Sequence, residues 1–158
     1  MRTQVRKGFG FGLTSGIITT LGLMVGLNSG THSKIIVLGG ILTIAIADAF
    51  SDSLGIHISE EAENHHNTKQ IWTATIATFF SKLLFALLFV IPVLLLSLRT
   101  AIITSVIWGL LVLGLLSYKM AREQKEKPWK VITEHITIAI LVIGLTHLIG
   151  GWISTVFV

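Results

Sequence analysis

Five long apolar stretches constrain this chain more than any other feature of its sequence. A helix needs about 20 apolar residues to cross a bilayer. The stretches cover residues 9–27, 35–58, 71–98, 100–118 and 131–158. Because backbone polar groups in lipid must be satisfied internally, stretches of this length form helices. The sequence therefore predicts an all-α, multi-pass protein of the lipid bilayer with one transmembrane domain over residues 1–158.

Composition supports this class and excludes several functions. Charged residues make up 13% of the chain, against about 25% in ordinary soluble domains. Cysteine is absent, which excludes disulfides, thiolate metal sites and cysteine nucleophiles. The chain shows no nucleophile–base pair, phosphate loop or zinc-protease motif, so we expect no enzymatic activity. The net charge of +4 does not indicate nucleic acid as a partner, since the basic residues cluster at the ends of the apolar stretches.

The positions of the basic residues predict the orientation of the chain. Cytoplasmic loops of membrane proteins carry an excess of Lys and Arg. If the N-terminus is inside, only Lys34 and Arg99 lie outside. The inner side then holds Arg2, Arg6, Lys7, Lys69, Lys119, Arg122, Lys125, Lys127 and Lys130. We therefore expect the N-terminus inside, the C-terminus outside, and two cytoplasmic links: an acidic one at 59–70 and a basic one at 119–130.

Two carboxylates interrupt the second apolar stretch. Asp48 and Asp52 are four residues apart and share one face of a helix. Ser59 continues this face and Ser51 flanks it. Ionisable residues inside a span are costly and mark functional sites, and clustered carboxylate and hydroxyl oxygens suit divalent cations. The pattern predicts a cation path or a proton relay.

A structural role for the same acids is the alternative. One Asp would pair with Lys82 of the third stretch, and the other would be protonated. Lys82 neutralises an Asp if it lies deep in the bilayer. It reaches the interface by snorkelling if the helix begins in the cytoplasm. The sequence leaves both geometries open.

An acidic and histidine-bearing segment follows the second stretch. Its candidate metal ligands are Glu60, Glu61, Glu63, His65 and His66. In a continued helix, Glu61 and His65 are one turn apart, as are Glu63 and His66, and carboxylate with imidazole at such spacing binds transition metals. The alternative is a solvated charged arm.

Glycines recur at four-residue spacing in the first stretch. Gly12 with Gly16, and Gly22 with Gly26, form GxxxG patterns, which let helix backbones approach closely. The partner helix belongs either to a second copy in a homodimer or to the same subunit. In the last stretch, we expect His147 to be buried and hydrogen-bonded rather than a metal ligand.

Three segments resemble the vacuolar iron transporter family. They are SGIITTLGLMVGL (15–27), IADAFSDSLGIHIS (46–59) and ATFFSKLLFALLFVIPVLL (77–95). Members of that family export ferrous iron or manganese from the cytoplasm in exchange for protons. The resemblance implies a homodimer whose first two helices line the path, in a cell membrane or vacuole-type membrane. It implies Fe²⁺ or Mn²⁺ as transported ion and no permanently bound cofactor.

The chain departs from the family pattern at three path positions. The family's first-helix Asp falls on Ser15, its second-helix Met on Asp52 and its second-helix Glu on Ile56. The matching positions are Asp48, Ser51, Gly55 and Ser59. Our hypothesis is that a carboxylate has moved from the first helix to the second, which makes the site harder and favours manganese. The family's large cytoplasmic insert is reduced to about 59–70. A non-transporting interaction or assembly protein of the same fold, stabilised by Asp–Lys pairs, is the alternative.

Overall fold

The computed structural model describes residues 2–63 and 67–157 and is 93% helical, with no strand in this part of the chain. Five helical segments in it are long and apolar enough to cross a membrane. The helices are α1 (Arg2–Thr31), α2 (Lys34–Ala62), α3 (Thr68–Leu88), α4 (Val90–Leu95), α5 (Leu98–Gln124) and α6 (Pro128–Phe157). The predictions of an all-α fold and of five candidate spans are confirmed, with α3 and α4 together forming the third span.

Several helices extend beyond the apolar stretches. The second stretch was expected to end at 58 and the fourth at 118, but α2 continues to Ala62 and α5 to Gln124. The added residues are rich in Glu, Lys, Arg and Gln, which are strong helix formers. The two links predicted to lie in the cytoplasm are consequently shorter than expected, because much of each predicted link is helical.

The third stretch is interrupted rather than continuous. α3 ends at Leu88 and α4 begins at Val90. Pro92 lacks an N–H group, and its ring crowds the carbonyl four residues earlier, that of Leu88. After α4, the Lys34 ammonium donates hydrogen bonds to the Leu94 and Leu96 carbonyl oxygens at 3.2 and 3.0 Å. A cation is favourable at a helix C-terminus, so this contact joins the start of α2 to the end of the third span.

Local signals explain how the remaining helices begin and end. The α1–α2 link contains His32 at φ 51°. Asn67 and Gln70 form a capping box at the start of α3, which satisfies otherwise unpaired N–H groups. α5 ends at Gln124 and is capped by Lys125 with φ 59°. α6 begins with Pro128, whose missing N–H costs nothing at a first helical position.

α1 is the central helix of the bundle, and α2, α3, α5 and α6 all pack against it. Each candidate span has one 18-residue window that is its most apolar part. This window is 56% buried in α1 but only 11% buried in α6. Leu13, Ile17, Leu21 and Met24 of α1 lie in the main hydrophobic core. The middle of α1 is therefore surrounded largely by other helices of the bundle.

The four GxxxG glycines of α1 contact helices of the same chain. A Cβ atom at Gly12 would lie 2.1 Å from Ser81 Oγ of α3, and one at Gly16 would lie 3.2 Å from the Lys82 carbonyl oxygen. Gly22 and Gly26 face α6, where added Cβ atoms would lie 2.7 Å from Val142 Cγ1 and 3.3 Å from Thr146 Cβ, respectively. Of the two partners left open by the sequence, the structure uses the one within the subunit.

Candidate functional site

Ser15 of α1, Asp48 and Asp52 of α2 and Lys82 of α3 form one ionic cluster. The Lys82 ammonium lies 2.6 Å from Asp48 Oδ2 and also forms an ion pair with Asp52 Oδ2. It donates a hydrogen bond to Ser15 Oγ at 2.7 Å. Ser15 Oγ in turn donates to Asp52 Oδ2 at 2.7 Å. Lys82 is therefore deep in the bundle and pairs with both acids, whereas the sequence had left its position and its partner open.

Local sequence explains how three helices bring these groups together. Asp48 and Asp52 are one turn apart on α2 and project to one side. Gly12 and Gly16 let the α3 backbone approach α1 at Ser81 and Lys82. The Lys82 side chain consequently leaves α3 directly beside α1, within reach of α2.

The ionic groups of this cluster are buried to different extents. The Lys82 side chain is 1% exposed, whereas those of Asp48 and Asp52 are each 21% exposed. Two carboxylates and one ammonium leave a formal charge of −1. Charges at membrane depth require partners or a water-filled path. The cluster encloses the lysine almost completely and leaves the two aspartate side chains partly exposed.

The other predicted path residues do not join the cluster in the described part of the chain. Ser51 and Ser59 are exposed on α2, as is Gly55. Ser51 is offset from the two acids by about a quarter turn of helix. Ser59 lies two turns beyond Asp52.

The acidic segment contacts α1 rather than standing free. Glu60 is fully buried, accepts a hydrogen bond from Gln4 Nε2 at 3.1 Å and forms an ion pair with Lys7. The Lys7 ammonium also lies 3.1 Å from Glu63 Oε1. Glu61 is exposed.

The two remaining ligands of the predicted capture site, His65 and His66, lie outside the described residues. Within residues 2–63 and 67–157, no group of three or more His, Asp or Glu side chains is placed to hold a metal ion.

Sequence reasoning missed the Lys7–Glu60 pair, although a signal for it was present. Lys7 lies eight residues before Ser15, and Glu60 lies eight residues after Asp52. α1 and α2 are consecutive helices joined by a short link, so they run antiparallel. Lys7 therefore lies opposite Glu60, just as Ser15 lies opposite Asp52. The bundle thus has two charged levels, one at Ser15 and Asp52 and one at Lys7 and Glu60, and each contains one lysine that contacts two carboxylates. The two levels are about 12 Å apart along the helices.

Three histidines join neighbouring helices through their Nδ1 atoms. Each contacts a hydroxyl oxygen: His57 to Thr75 at 3.0 Å, His135 to Ser117 at 2.8 Å and His147 to Ser29 at 2.5 Å. His147 is hydrogen-bonded as the sequence analysis expected, but it is exposed rather than buried. These contacts tie the bundle together away from the ionic cluster.

Comparison with known proteins adds no assignment: the chain matches no protein-family model and no curated protein. The functional conclusion therefore depends on the chemistry of the ionic cluster and on the resemblance described above.

Proposed function

We propose that this protein transports a cation across the membrane through Asp48 and Asp52. The observation behind this proposal is the unequal burial of the cluster, in which the acids are each 21% exposed and their lysine partner only 1%. Carboxylate oxygens that remain accessible at membrane depth are suited to binding and releasing a cation. The resemblance supplies the finer proposal of Fe²⁺ or Mn²⁺ exported from the cytoplasm in exchange for protons.

The level at Lys7 and Glu60 supports an entry route from the cytoplasmic side. With the N-terminus inside, a cation would meet the exposed Glu63, and pass the buried Glu60, before it reaches Asp52. Both acids contact Lys7, so this end of the α1–α2 seam is held together by charge. The acidic segment then concentrates cations at the entrance, and the ligands of the transported ion are the deeper carboxylates.

A homodimer completes the proposed site. Small residues occupy every fourth position of an exposed stripe on α2: Gly39, Thr43, Ala47, Ser51, Gly55 and Ser59. Such stripes let membrane helices pack closely, and this one passes beside Asp48 and Asp52. A second copy seated here would cover the exposed sides of the carboxylates, which lipid alone solvates poorly.

Ion entry into proteoliposomes, under an imposed pH gradient, tests the transport proposal. Fe²⁺, Mn²⁺, Zn²⁺ and Ca²⁺ are presented in turn and detected by quenching of an enclosed dye. We expect saturable entry of Fe²⁺ or Mn²⁺. Asp48→Asn should lower the rate of ion entry at least about tenfold. A loss of that size is at the lower end of those typical when a residue that supports a metal ligand is removed. Glu134→Gln, which changes an exposed acid on α6, is the matched control.

A non-transporting membrane interaction or assembly protein is the second candidate. One observation favours it: Lys82 contacts both acids and Ser15, so the ionic groups already have partners within the bundle. Folded protein that admits none of the four ions would establish this candidate over transport. Normal transport by Asp48→Asn would instead show that the path lies elsewhere.

A further inference from the structure

The Lys82 ammonium group contacts the carboxylates of both Asp48 and Asp52. It has three oxygen neighbours, one from each carboxylate and one from Ser15. An ammonium group has three N–H donors and no acceptor. Lys82 donates hydrogen bonds to Ser15 Oγ and Asp52 Oδ2, and its contact with Asp48 Oδ2 at 2.6 Å is an ion pair. One carboxylate oxygen on each Asp faces the lysine instead of an incoming ion.

The lysine is also confined to this position. Its side chain is 1% exposed, and the closely packed α1–α3 seam lies against its stem. A divalent ion that binds both carboxylates must therefore lie against the ammonium group or displace it toward Ser15. Like charges at such distances repel strongly where the effective dielectric is low.

We propose that Lys82 acts as a tethered internal cation that competes with the transported ion for Asp48 and Asp52, and so keeps the affinity of the site low. This inference rests on the proposed function for its choice of ion. A transporter must release its ion as well as bind it, and a covalently attached competitor returns to the carboxylates whenever the ion leaves. Lys82 is then the residue that determines the affinity of the site.

Direct binding of Mn²⁺ to the purified full-length chain in nanodiscs tests this role. Free Mn²⁺ is counted by electron paramagnetic resonance. Lys82→Met removes the charge at similar side-chain length and should tighten Mn²⁺ binding about a hundredfold, given the cost of juxtaposed like charges. Lys82→Arg keeps the charge and should not tighten binding. Lys119→Met changes an exposed lysine on α5 and is the matched control.

A further variant shows where the gained affinity arises. Adding Asp48→Asn and Asp52→Asn to Lys82→Met should abolish the gain. If the single variant fails to fold, Lys82→Met with Asp52→Asn preserves the cluster charge of −1 and should still bind Mn²⁺ more tightly than the unmodified chain. Unchanged or weaker binding by the folded variants would overturn the role of Lys82, as would a gain that survives loss of both acids.

The same measurements separate this inference from the proposed function. Ion entry into proteoliposomes with unchanged Mn²⁺ affinity in Lys82→Met would leave transport standing and remove the competitor role. Asp-dependent Mn²⁺ binding in Lys82→Met, without any ion entry by the unmodified chain, would establish Lys82 as a cation in the site and overturn transport.

Discussion

At the scale of single residues, Ser15 shows how one hydroxyl organises three charges. It accepts a hydrogen bond from Lys82 and donates one to Asp52, each at 2.7 Å. The vacuolar iron transporter family, which the chain resembles in sequence, has a carboxylate at this position, and a carboxylate here would change the formal charge of the cluster from −1 to −2. A hydroxyl keeps both hydrogen bonds without adding charge, so the present cluster depends on Ser15 for geometry and on α2 for its acids.

Replacement of Ser15 tests this role. Ser15→Ala leaves Lys82 and Asp52 each short of one partner, and we expect the free energy of unfolding to fall by about 1–3 kcal/mol. Ser154→Ala is the control, because Ser154 bonds only to the Gly151 carbonyl of its own helix, and its effect should stay within about 0.5 kcal/mol. Denaturation in mixed micelles measures both. Equal effects of the two substitutions would show that Ser15 does not hold the cluster.

At the scale of helices, the site exists because α1 and α3 approach closely. A Cβ at Gly12 would lie 2.6 Å from the Thr78 carbonyl oxygen as well as close to Ser81. Backbone atoms cannot move aside as a flexible side chain can, so a methyl group here separates the two helices. The position of Lys82 relative to α1 depends on that separation.

A pair of Gly→Ala substitutions makes this argument testable. Gly12→Ala should destabilise the protein by about 1–3 kcal/mol through overpacking and reduce ion entry by moving Lys82. Gly114→Ala has nothing within 4 Å of the added Cβ and should be neutral or stabilising by up to about 1 kcal/mol, because Ala favours helix. Thermal unfolding compares them. Two variants of equal stability would contradict the close packing of α1 on α3.

At the scale of the whole molecule, the bundle leaves one face of α2 without a partner in the described chain. The most apolar window is 56% buried in α1 but only 22% buried in α2, which carries the acids, so the homodimer proposed above would form on α2. Lipid tails provide no hydrophobic drive for this contact, and close packing of small residues replaces it. The N-terminus inside the cell stays a prediction from the asymmetry of Lys and Arg.

Cysteine cross-linking tests the homodimer, since the chain has no native cysteine. In the proposed interface, Ser51→Cys brings two thiols close enough for a disulfide, which requires Cα atoms within about 7 Å. Mild oxidation in membranes should therefore give a covalent dimer. Leu115→Cys, on α5 and 71% exposed, should remain monomeric. Equal cross-linking of both variants, or of neither, would contradict an interface on α2.

The sequence by itself determined the helical class, the number of candidate spans and the presence of two acids within one of them. Each of these follows from local hydropathy and from the length needed to cross a bilayer. The break near Pro92 and the helical ends beyond the apolar stretches also had local causes, although the sequence reasoning did not use them.

Only the tertiary structure decided which groups meet. These contacts depend on the rotation and relative height of packed helices. They include the contacts of Lys82 with both acids and with Ser15, the pairing of Lys7 with Glu60, and the packing of the α1 glycines on α3 and α6. Apolar residues surround most of each helix here, so hydropathy does not distinguish the face that meets protein from the face that meets lipid. Close packing and the pairing of buried charges make that distinction, and both are properties of several helices together.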